Sequence, residues 1–433
     1  MDWIELLNPN KLGNRPVNLT ALRSPFLADY DKIIFSQAFR RLARKTQVHP
    51  LAENDHIHNR LTHSLEVASI GRSLGEALDS VLVERYQGLH SFHCGHIVQA
   101  ACLAHDIGIP PFGHIGEQAI GLWFSQHPEF IQDLTDNQRL DLIHFEGNAQ
   151  GFRLLTACHF DQDGSFAPIT YATLATYLKY PWGSCHPQAF ELKKYSCFEF
   201  EQVHLHEIAQ KTGMIADKSG GFYRYPLAYL VEAADDICYA LLDLEDGLAL
   251  RLISWQQMLN VFEPVLALIT NATFTNKLEK AIQKQKFAYI RGEIMAFYIE
   301  SITQTFFDHE AEFLKGMVKH SIIELAPPAV AASIFNAKNL AKTHIFSYPV
   351  KQAQELGAFT IIHRLLDQFI PAVQAIFQGV ASSHQQMLVE LIGVDTILSS
   401  CSQYEVFLRT IDFISGMTDN YALKLSQHLN GLN

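Results

Sequence analysis

Apolar residues recur at three- and four-residue intervals along most of this chain. Between residues 61 and 78, Leu61, Leu65, Ala68, Leu74 and Leu78 follow that spacing amid polar positions, which predicts an amphipathic helix. The stretch HIVQAACLAH, residues 96–105, is almost wholly apolar and predicts a buried helix. A longer helix is expected over residues 226–253, PLAYLVEAADDICYALLDLEDGLALRLI, with Pro226 in its first turn. FTIIHRLLDQFIPAVQAIF and YEVFLRTIDFISG repeat the amphipathic pattern in the last third. Alternating strand patterns are scarce; the best candidate is a short hairpin around GGFYRYP, residues 220–226. Residues 127–138 and 158–168, rich in Asp, Gly, Pro and Asn, read as loops. The pattern predicts an all-α protein without internal repeats or low-complexity tracts, and a boundary between two helical parts is placed at residues 255/256.

Composition narrows the function more than the fold. The chain has 433 residues, 48% hydrophobic and 18% charged, so a sizeable core forms and disorder is not expected. A net charge of −12 argues against general coating of nucleic acid, so an anionic ligand needs a local basic cluster. Cysteines 94, 102, 158, 185, 197, 238 and 401 contain no C-x-x-C pair, which suits free thiols in a reducing compartment. MDWIELLNPNKLGNR lacks a basic-then-apolar signal pattern, and no run of ~18 uncharged apolar residues occurs. A cytoplasmic setting is therefore expected.

Candidate chemistry concentrates in CLAHDIGIPPFGHIGE, residues 102–117. His105 and Asp106 close an apolar helix, and Gly108, Pro110 and Pro111 force a turn. Adjacent helical side chains point about 100° apart, so a His-Asp pair converges on one ion most easily at a helix end. His63 on one helix and Asp235 on another complete a set of two imidazoles and two carboxylates, the donor types that helical bundles aim at a metal. His114 and Glu117, three residues apart on the next helix, are placed as an acid/base pair beside a bound water. Asp235, Tyr239 and Asp243 form one polar stripe at i, i+4 and i+8. A solvated acidic edge is the plain alternative, but Val231, Ile237, Leu241 and Leu242 cover the other faces, which favours a buried, functional stripe. In FRRLARKTQ, Arg40, Arg41, Arg44 and Lys45 make two i, i+4 pairs, most of which are expected on a solvated helix face. Arg60, three residues before His63, places a guanidinium beside the proposed metal, where a phosphate is held.

Residues from about 24 to 250 resemble the bacterial HD-domain deoxynucleoside triphosphate triphosphohydrolases, the dGTPase-like proteins. The matching stretches are RSPFLADYDKIIFSQAFRRLARKTQV, NRLTHSLEV, HDIGIPPFGHIGE, HFEGNAQ, TYATLATYLKYPW and EAADDICYALLDLEDG, in that order. The resemblance implies an all-α HD-domain core over residues 1–255 with a helical C-terminal extension over 256–433, packed on the core and in oligomer contacts. It implies hydrolysis of a dNTP, dGTP or another, to deoxynucleoside and inorganic triphosphate. It assigns His63, His105, Asp106 and Asp235 to the metal, His114 to catalysis and Glu117 to its orientation. Arg60, Lys179 and Tyr180 are assigned to the phosphates, Gln47 to the sugar, Tyr239 to packing on the deoxyribose and Asp243 to its 3′-hydroxyl. Where many relatives carry Asn, this chain has Ile109, so an amide is lost beside the catalytic loop.

Two imidazoles favour Mn²⁺, Fe²⁺ or Ni²⁺ at the His/Asp site, while the substrate's phosphate tail brings Mg²⁺. The family further implies a homo-oligomer, often a hexamer, and leaves open whether dNTPs or single-stranded nucleic acid act as allosteric activators. Other HD-type readings are a cyclic-dinucleotide phosphodiesterase, for which no GYP-like motif is present, and a (p)ppGpp hydrolase, whose HD-x-x-E-D contrasts with HDIGIP here. A non-catalytic nucleotide- or nucleic-acid-sensing regulator is the alternative outside enzymes; the intact His114–Glu117 pair argues against it.

Overall fold

The computed structural model describes residues 1–13, 15, 17, 23–46, 59–86, 89, 93–156, 168–269, 274–275, 283–345, 349–393 and 401–432. Helices dominate the described residues, with only isolated β-bridges. The N-terminal helices are α1 (Trp3–Leu6), α2 (Pro25–Phe35) and α3 (Gln37–Arg41). The site-bearing stretch follows as α4 (Arg60–Arg85), α5 (His93–Ala104), α6 (His114–Gln126), α7 (Asp136–Ile143), α8 (Gly147–Thr156) and α9 (Tyr171–Tyr177). Next come α10 (Pro187–Leu192), α11 (Gln202–Lys211), α12 (Ala228–Ala249) and α13 (Trp255–Ile269). Then follow α14 (Gln283–Asp308), α15 (Glu310–Leu314), α16 (Ile322–Leu325) and α17 (Pro328–His344). The chain closes with α18 (Pro349–Phe377), α19 (Ser383–Ile392), α20 (Gln403–Ser415) and α21 (Asp419–Leu429).

The apolar periodicity maps onto two hydrophobic cores. The first is built by α2, α4, α5, α9 and α12 together with α13, α14 and α17. Leu74, Leu78 and Ile97 are fully buried there, each contributing about 1.5–3 kcal/mol relative to an exposed side chain. The second core joins α6 and α7 to α18, α20 and α21 through Trp123, Phe124, Leu142, Phe369 and Phe407. Polar groups stitch it: Trp123 Nε1 donates to Asp367 at 2.7 Å, and His363 Nε2 meets the Ala119 carbonyl at 3.0 Å. Asp141 accepts from Tyr404 at 2.5 Å and from the Glu199 amide at 2.7 Å, yet burial pushes its carboxyl up to about 7. Arg153 of α8 binds Glu201 at 2.6 Å and Asp412 of α20 at 3.0 Å, tying both cores together.

Several expectations shift in detail. The basic run of residues 39–47 does not continue as one helix: α3 stops at Arg41, a 3₁₀ turn covers Leu42–Arg44, and Lys45 turns inward and is buried. The hairpin expected at residues 220–226 is a turn with one antiparallel bridge, Ala216 to Phe222. Asp217 accepts from the amides of Ser219 and Gly221, which satisfies the turn locally. The long third helix begins at Ala228, two residues after Pro226, and ends at Ala249. Of the expected loops, residues 127–138 contain a 3₁₀ turn at Pro128–Phe130 and the start of α7, while 158–168 lies almost wholly outside the described residues.

Candidate active site

Three helices of the first core deliver the donor atoms. Asn59 caps α4, accepting from the amides of Leu61 and Thr62 at 3.1 and 3.0 Å, and Thr62 Oγ1 accepts from the Asn59 amide in return. This cap holds His63 in the first turns of α4, facing inward. At the end of α5 the helical pattern breaks into successive tight turns, Ile107 to Ala104 and Ile109 to Asp106, before Pro110 and Pro111. Gly108 lets this turn press against α8, since a Cβ there would lie 2.1 Å from the Gly151 amide nitrogen and 2.2 Å from the Gly147 carbonyl oxygen. His105 and Asp106 are thereby released from helical geometry.

His63 Nε2 lies 3.1 Å and His105 Nε2 3.8 Å from Asp235 Oδ1. One donor atom each from His63, His105 and Asp235 falls within 4.8 Å of the others, the spacing of ligands around a single ion. The His105 Nδ1 faces the Cys102 carbonyl at 2.6 Å, which assigns the ring proton to Nδ1 and leaves Nε2 bare for a metal. Asp106 stands at the edge of this group: Oδ1 is 3.5 Å from His105 Nε2, and Oδ2 accepts from Arg60 at 2.6 Å. Burial alone raises the Asp106 carboxyl, but Arg60, His105 and His63 outweigh it and hold it well below the usual range. Burial acts the same way on Asp235, and the hydrogen bond from His63 with the charge of His105 lowers it overall. An anionic pair facing two imidazoles fits a divalent cation.

The Arg60 guanidinium connects this cluster to the next segment. It is buried, a Cβ on Gly113 would lie 2.8 Å from its Nη2, and its Nε has no hydrogen-bond partner among the described residues. Phe112 and Gly113 both take left-handed φ values, 65° and 67°, and α6 starts immediately after them. His114, in the first turn, presents an exposed imidazole whose Nδ1 meets Glu117 Oε2 at 2.7 Å. Glu117 Oε1 accepts from the Gly147 amide at 2.9 Å. The hydrogen bond to Glu117 raises the His114 imidazole above its ordinary value. Burial raises the Glu117 carboxyl, but His114, Lys194 and the Gly147 amide together bring it down. The pair is a buried carboxylate orienting an accessible imidazole through Nδ1.

The remaining expected residues distribute along α12. Tyr239 packs against His63 with ring centroids 4.8 Å apart, and burial pushes its phenol well up. Asp243, one turn on, is buried, so the stripe is not a solvated edge. Lys179 reaches α12 through Glu232 at 3.3 Å, and its ammonium lies over the Tyr180 ring at 5.6 Å. Burial disfavours the Lys179 charge, but Glu232, Tyr180 and Asp235 outweigh it and hold the ammonium above its ordinary range. Ile109 packs its side chain against α8: its Cδ1 lies 2.6 Å from where a Gly147 Cβ would be. Gln47 lies outside the described residues.

Some groups at the site carry no sequence signal of their inward placement. Lys194 bridges Glu146 at 2.7 Å and Glu117 at 3.9 Å, beside a cleft of about 410 Å³ that also takes in His114, Lys193, Phe190 and Tyr195. Arg224 shares Glu232 with Lys179 at 2.5 Å and stacks on Tyr229 with its guanidinium 4.8 Å from the ring centroid. Lys45 donates to the Ile109 and Ser415 carbonyls at 2.6 and 2.7 Å, and burial pushes its ammonium down to about 7. Only the alternation of charge within a helical pattern marks such residues in the sequence, and it does not say which of them turn inward.

Helical fold, paired imidazoles and the His-Asp helix end define the HD-domain class, and a model of the HD domain matches residues 60–145. HD domains bind divalent metals, consistent with the His63, His105 and Asp235 cluster. The chain is 41% identical to a deoxyguanosinetriphosphate triphosphohydrolase-like protein of Pseudomonas aeruginosa, an alignment spanning 100% of this chain and 99% of that one. A Synechocystis protein with the same description is 32% identical over 100% of both chains. A Salmonella paratyphi A protein described as deoxyguanosinetriphosphate triphosphohydrolase is 30% identical over 92% of each. The chain belongs to the deoxyguanosinetriphosphate triphosphohydrolase-like family of HD-domain phosphohydrolases. Among the described residues, no helix is long and apolar enough to cross a membrane.

Proposed function

We propose that this chain hydrolyses deoxynucleoside triphosphates at the α-phosphorus, releasing a deoxynucleoside and intact inorganic triphosphate. The observation that carries the reading is the convergence of His63, His105 and Asp235 within 4.8 Å, joined through Arg60 to the turn that presents His114 and Glu117. The name of the Salmonella relative supports the same activity. In this reading His63, His105, Asp106 and Asp235 hold the ion, Mn²⁺, Fe²⁺ or Ni²⁺, while the phosphate tail brings Mg²⁺. A divalent cation there supplies Lewis acidity and neutralises phosphate charge.

The protein's own groups do the rest. Arg60 and Lys179 hold a polyanionic tail that a chain of net charge −12 otherwise repels, and the unpartnered Arg60 Nε is a buried donor suited to an anionic oxygen. Tyr180 borders the same phosphates. His114 moves a proton at Nε2, held in the Nδ1–H tautomer by Glu117. Tyr239, one turn from Asp235, packs on C2′ of the sugar and leaves no space for a 2′-hydroxyl, with Asp243 at the 3′-hydroxyl and Gln47 as a further sugar contact. A homo-oligomer, often a hexamer, a cytoplasmic setting and the division into 1–255 and 256–433 belong to the same reading, with a dNTP or single-stranded nucleic acid as candidate activators.

Product analysis tests it. Purified enzyme with Mn²⁺ and dGTP is expected to give deoxyguanosine and triphosphate in equal amounts, with GTP turned over far more slowly. Release of a nucleotide monophosphate or of orthophosphate would point to another HD-type phosphohydrolase, and no turnover of any dNTP to a sensor.

A further inference from the structure

The last helices of the chain touch the catalytic loop at one buried carboxylate. In SGMTDNYA, residues 415–422, Thr418 caps α21 and Asp419 opens it, 2% exposed. Asp419 Oδ1 accepts the Phe112 amide at 2.9 Å. Its Oδ2 accepts the Thr46 amide at 3.0 Å and the Thr46 hydroxyl at 2.6 Å. Four residues earlier, the Ser415 carbonyl accepts a hydrogen bond from Lys45, whose ammonium also donates to the Ile109 carbonyl. Two short stretches far apart in sequence, 45–46 and 109–112, are thus gripped from α20 and α21 by one carboxylate and one carbonyl.

The grip falls where the backbone is least willing. Phe112 has φ 65°, a left-handed conformation in which Cβ crowds the following carbonyl. Gly113 follows at φ 67°, and α6 has no side-chain cap of its own at Gly113. The Phe112 ring is pinned in the second core, while its amide is pinned by Asp419. With both ends held, the chain reverses within two residues and His114 emerges against Glu117. Asp419 touches none of the proposed ligands, nor His114 itself.

We propose that Asp419 is a positioning residue: by accepting the Phe112 amide it fixes the left-handed turn that sets His114 on Glu117. The C-terminal helices thereby complete the site although the match to the HD domain ends at residue 145. The role given to His114 rests on the function proposed above, but its placement does not.

The test uses the full-length chain, wild type and Asp419→Ala, Asp419→Asn and Thr46→Val. Histidines are labelled with ¹³C, and the His114 signal is assigned by its loss in His114→Gln. In Asp419→Ala the His114 titration is expected to move down toward free imidazole, because contact with Glu117 is loosened. Turnover of dGTP is expected to fall by up to roughly 100-fold in kcat, with KM and bound metal unchanged. Asp419→Asn keeps an acceptor for the Phe112 amide and should recover most of both readouts. Thr46→Val removes one contact of the same carboxylate but leaves the Phe112 bond, so both readouts should stay near wild type. An unmoved His114 titration in Asp419→Ala overturns the proposal, as does an Asn variant as defective as Ala, or metal lost in step with kcat. Should Asp419→Ala not fold, Asp419→Ser replaces it with the same readout: a His114 titration moved down supports the proposal, an unmoved one overturns it, and a downward shift in Thr46→Val places the effect on the 45–46 segment and overturns it too. If wild type releases no triphosphate, the proposed function fails while the His114 titration still decides the positioning.

Discussion

The two halves of the site sit in different cores and are built in different ways. His63, His105 and Asp235 come from α4, the end of α5 and α12, which all pack in the first core. His114 and Glu117 come from α6, whose apolar face belongs to the second core with α18, α20 and α21. The first half rests on helices whose packing fixes the donor atoms from three sides. The second rests on one short turn, residues 107–113, that crosses between the cores and contains two consecutive left-handed residues. A metal cluster tolerates no slack in ligand spacing, so rigid helices suit it. A proton-transferring imidazole needs reach toward substrate, so an exposed helix start suits it.

The sharpest way to break this contrast is to remove a first-half carboxylate. Asp106→Ala is expected to lose most bound transition metal and nearly all hydrolysis, because the ion loses an anionic neighbour and Arg60 loses its partner. Metal content by mass spectrometry of the native protein, alongside turnover of dGTP, checks it. Full activity with stoichiometric metal would show that His63, His105 and Asp235 suffice.

His114→Ala probes the other half. It should retain metal and bind dNTP, yet lose ~10²–10⁴-fold in rate, the usual contribution of a general acid/base group. Metal loss parallel to the rate loss would make His114 a ligand and merge the two halves into one.

How much of this contrast is visible in sequence depends on the half. The helices of the first core announce themselves by periodicity, and His105-Asp106 before G-x-P-P marks the helix end that frees the pair. His63 and Asp235 need only the inference that buried helices aim polar residues at something. The His114–Glu117 spacing is equally readable, because i and i+3 share a face. What supports that pair is not readable. Asp419 and Phe112 are 307 positions apart, and Lys45 and Ser415 are 370 apart. No local pattern encodes such contacts: taken alone, Asp419 is an acidic residue in a helix's first turn and Lys45 a basic residue in a basic run. Lys45 shows the cost of reasoning locally: its i, i+4 relation to Arg41 reads as solvated surface, but a 3₁₀ turn rotates it into the interior.

The crossing turn itself can be loaded. Gly108→Ala places a methyl group against the backbone of α8, 2.1 Å from the Gly151 amide nitrogen, with no flexible side chain there to move aside. Overpacking of this kind costs about 1–3 kcal/mol, which thermal unfolding reads as a lowered Tm. The catalytic loop should also shift, so kcat should fall more than KM changes. A variant as stable and active as wild type would mean that the two cores are not held in contact through Gly108.

The mildest expected effect separates orientation from chemistry within the second half. Glu117 raises the His114 imidazole through a hydrogen bond and its charge, which outweigh burial and the opposing charges of Lys194 and Arg60. A histidine with a raised folded-state pKa contributes stability that is complete below the unfolded value, near 6.5, and is lost as pH rises through the folded value. For activity the consequence depends on the form that reacts. If His114 must first be neutral to take a proton, the acidic limb of kcat/KM follows its raised pKa. Glu117→Gln keeps the side-chain volume and an oxygen acceptor but deletes the charge, so the limb should move to lower pH. The plateau rate should fall less than in His114→Ala, because the amide oxygen still faces Nδ1 and retains the tautomer. A pH profile of dGTP hydrolysis by wild type and Glu117→Gln, each with the same metal content, decides the matter. A limb that stays in place would assign it to a group other than His114 and leave Glu117 as a structural anchor for the Gly147 amide.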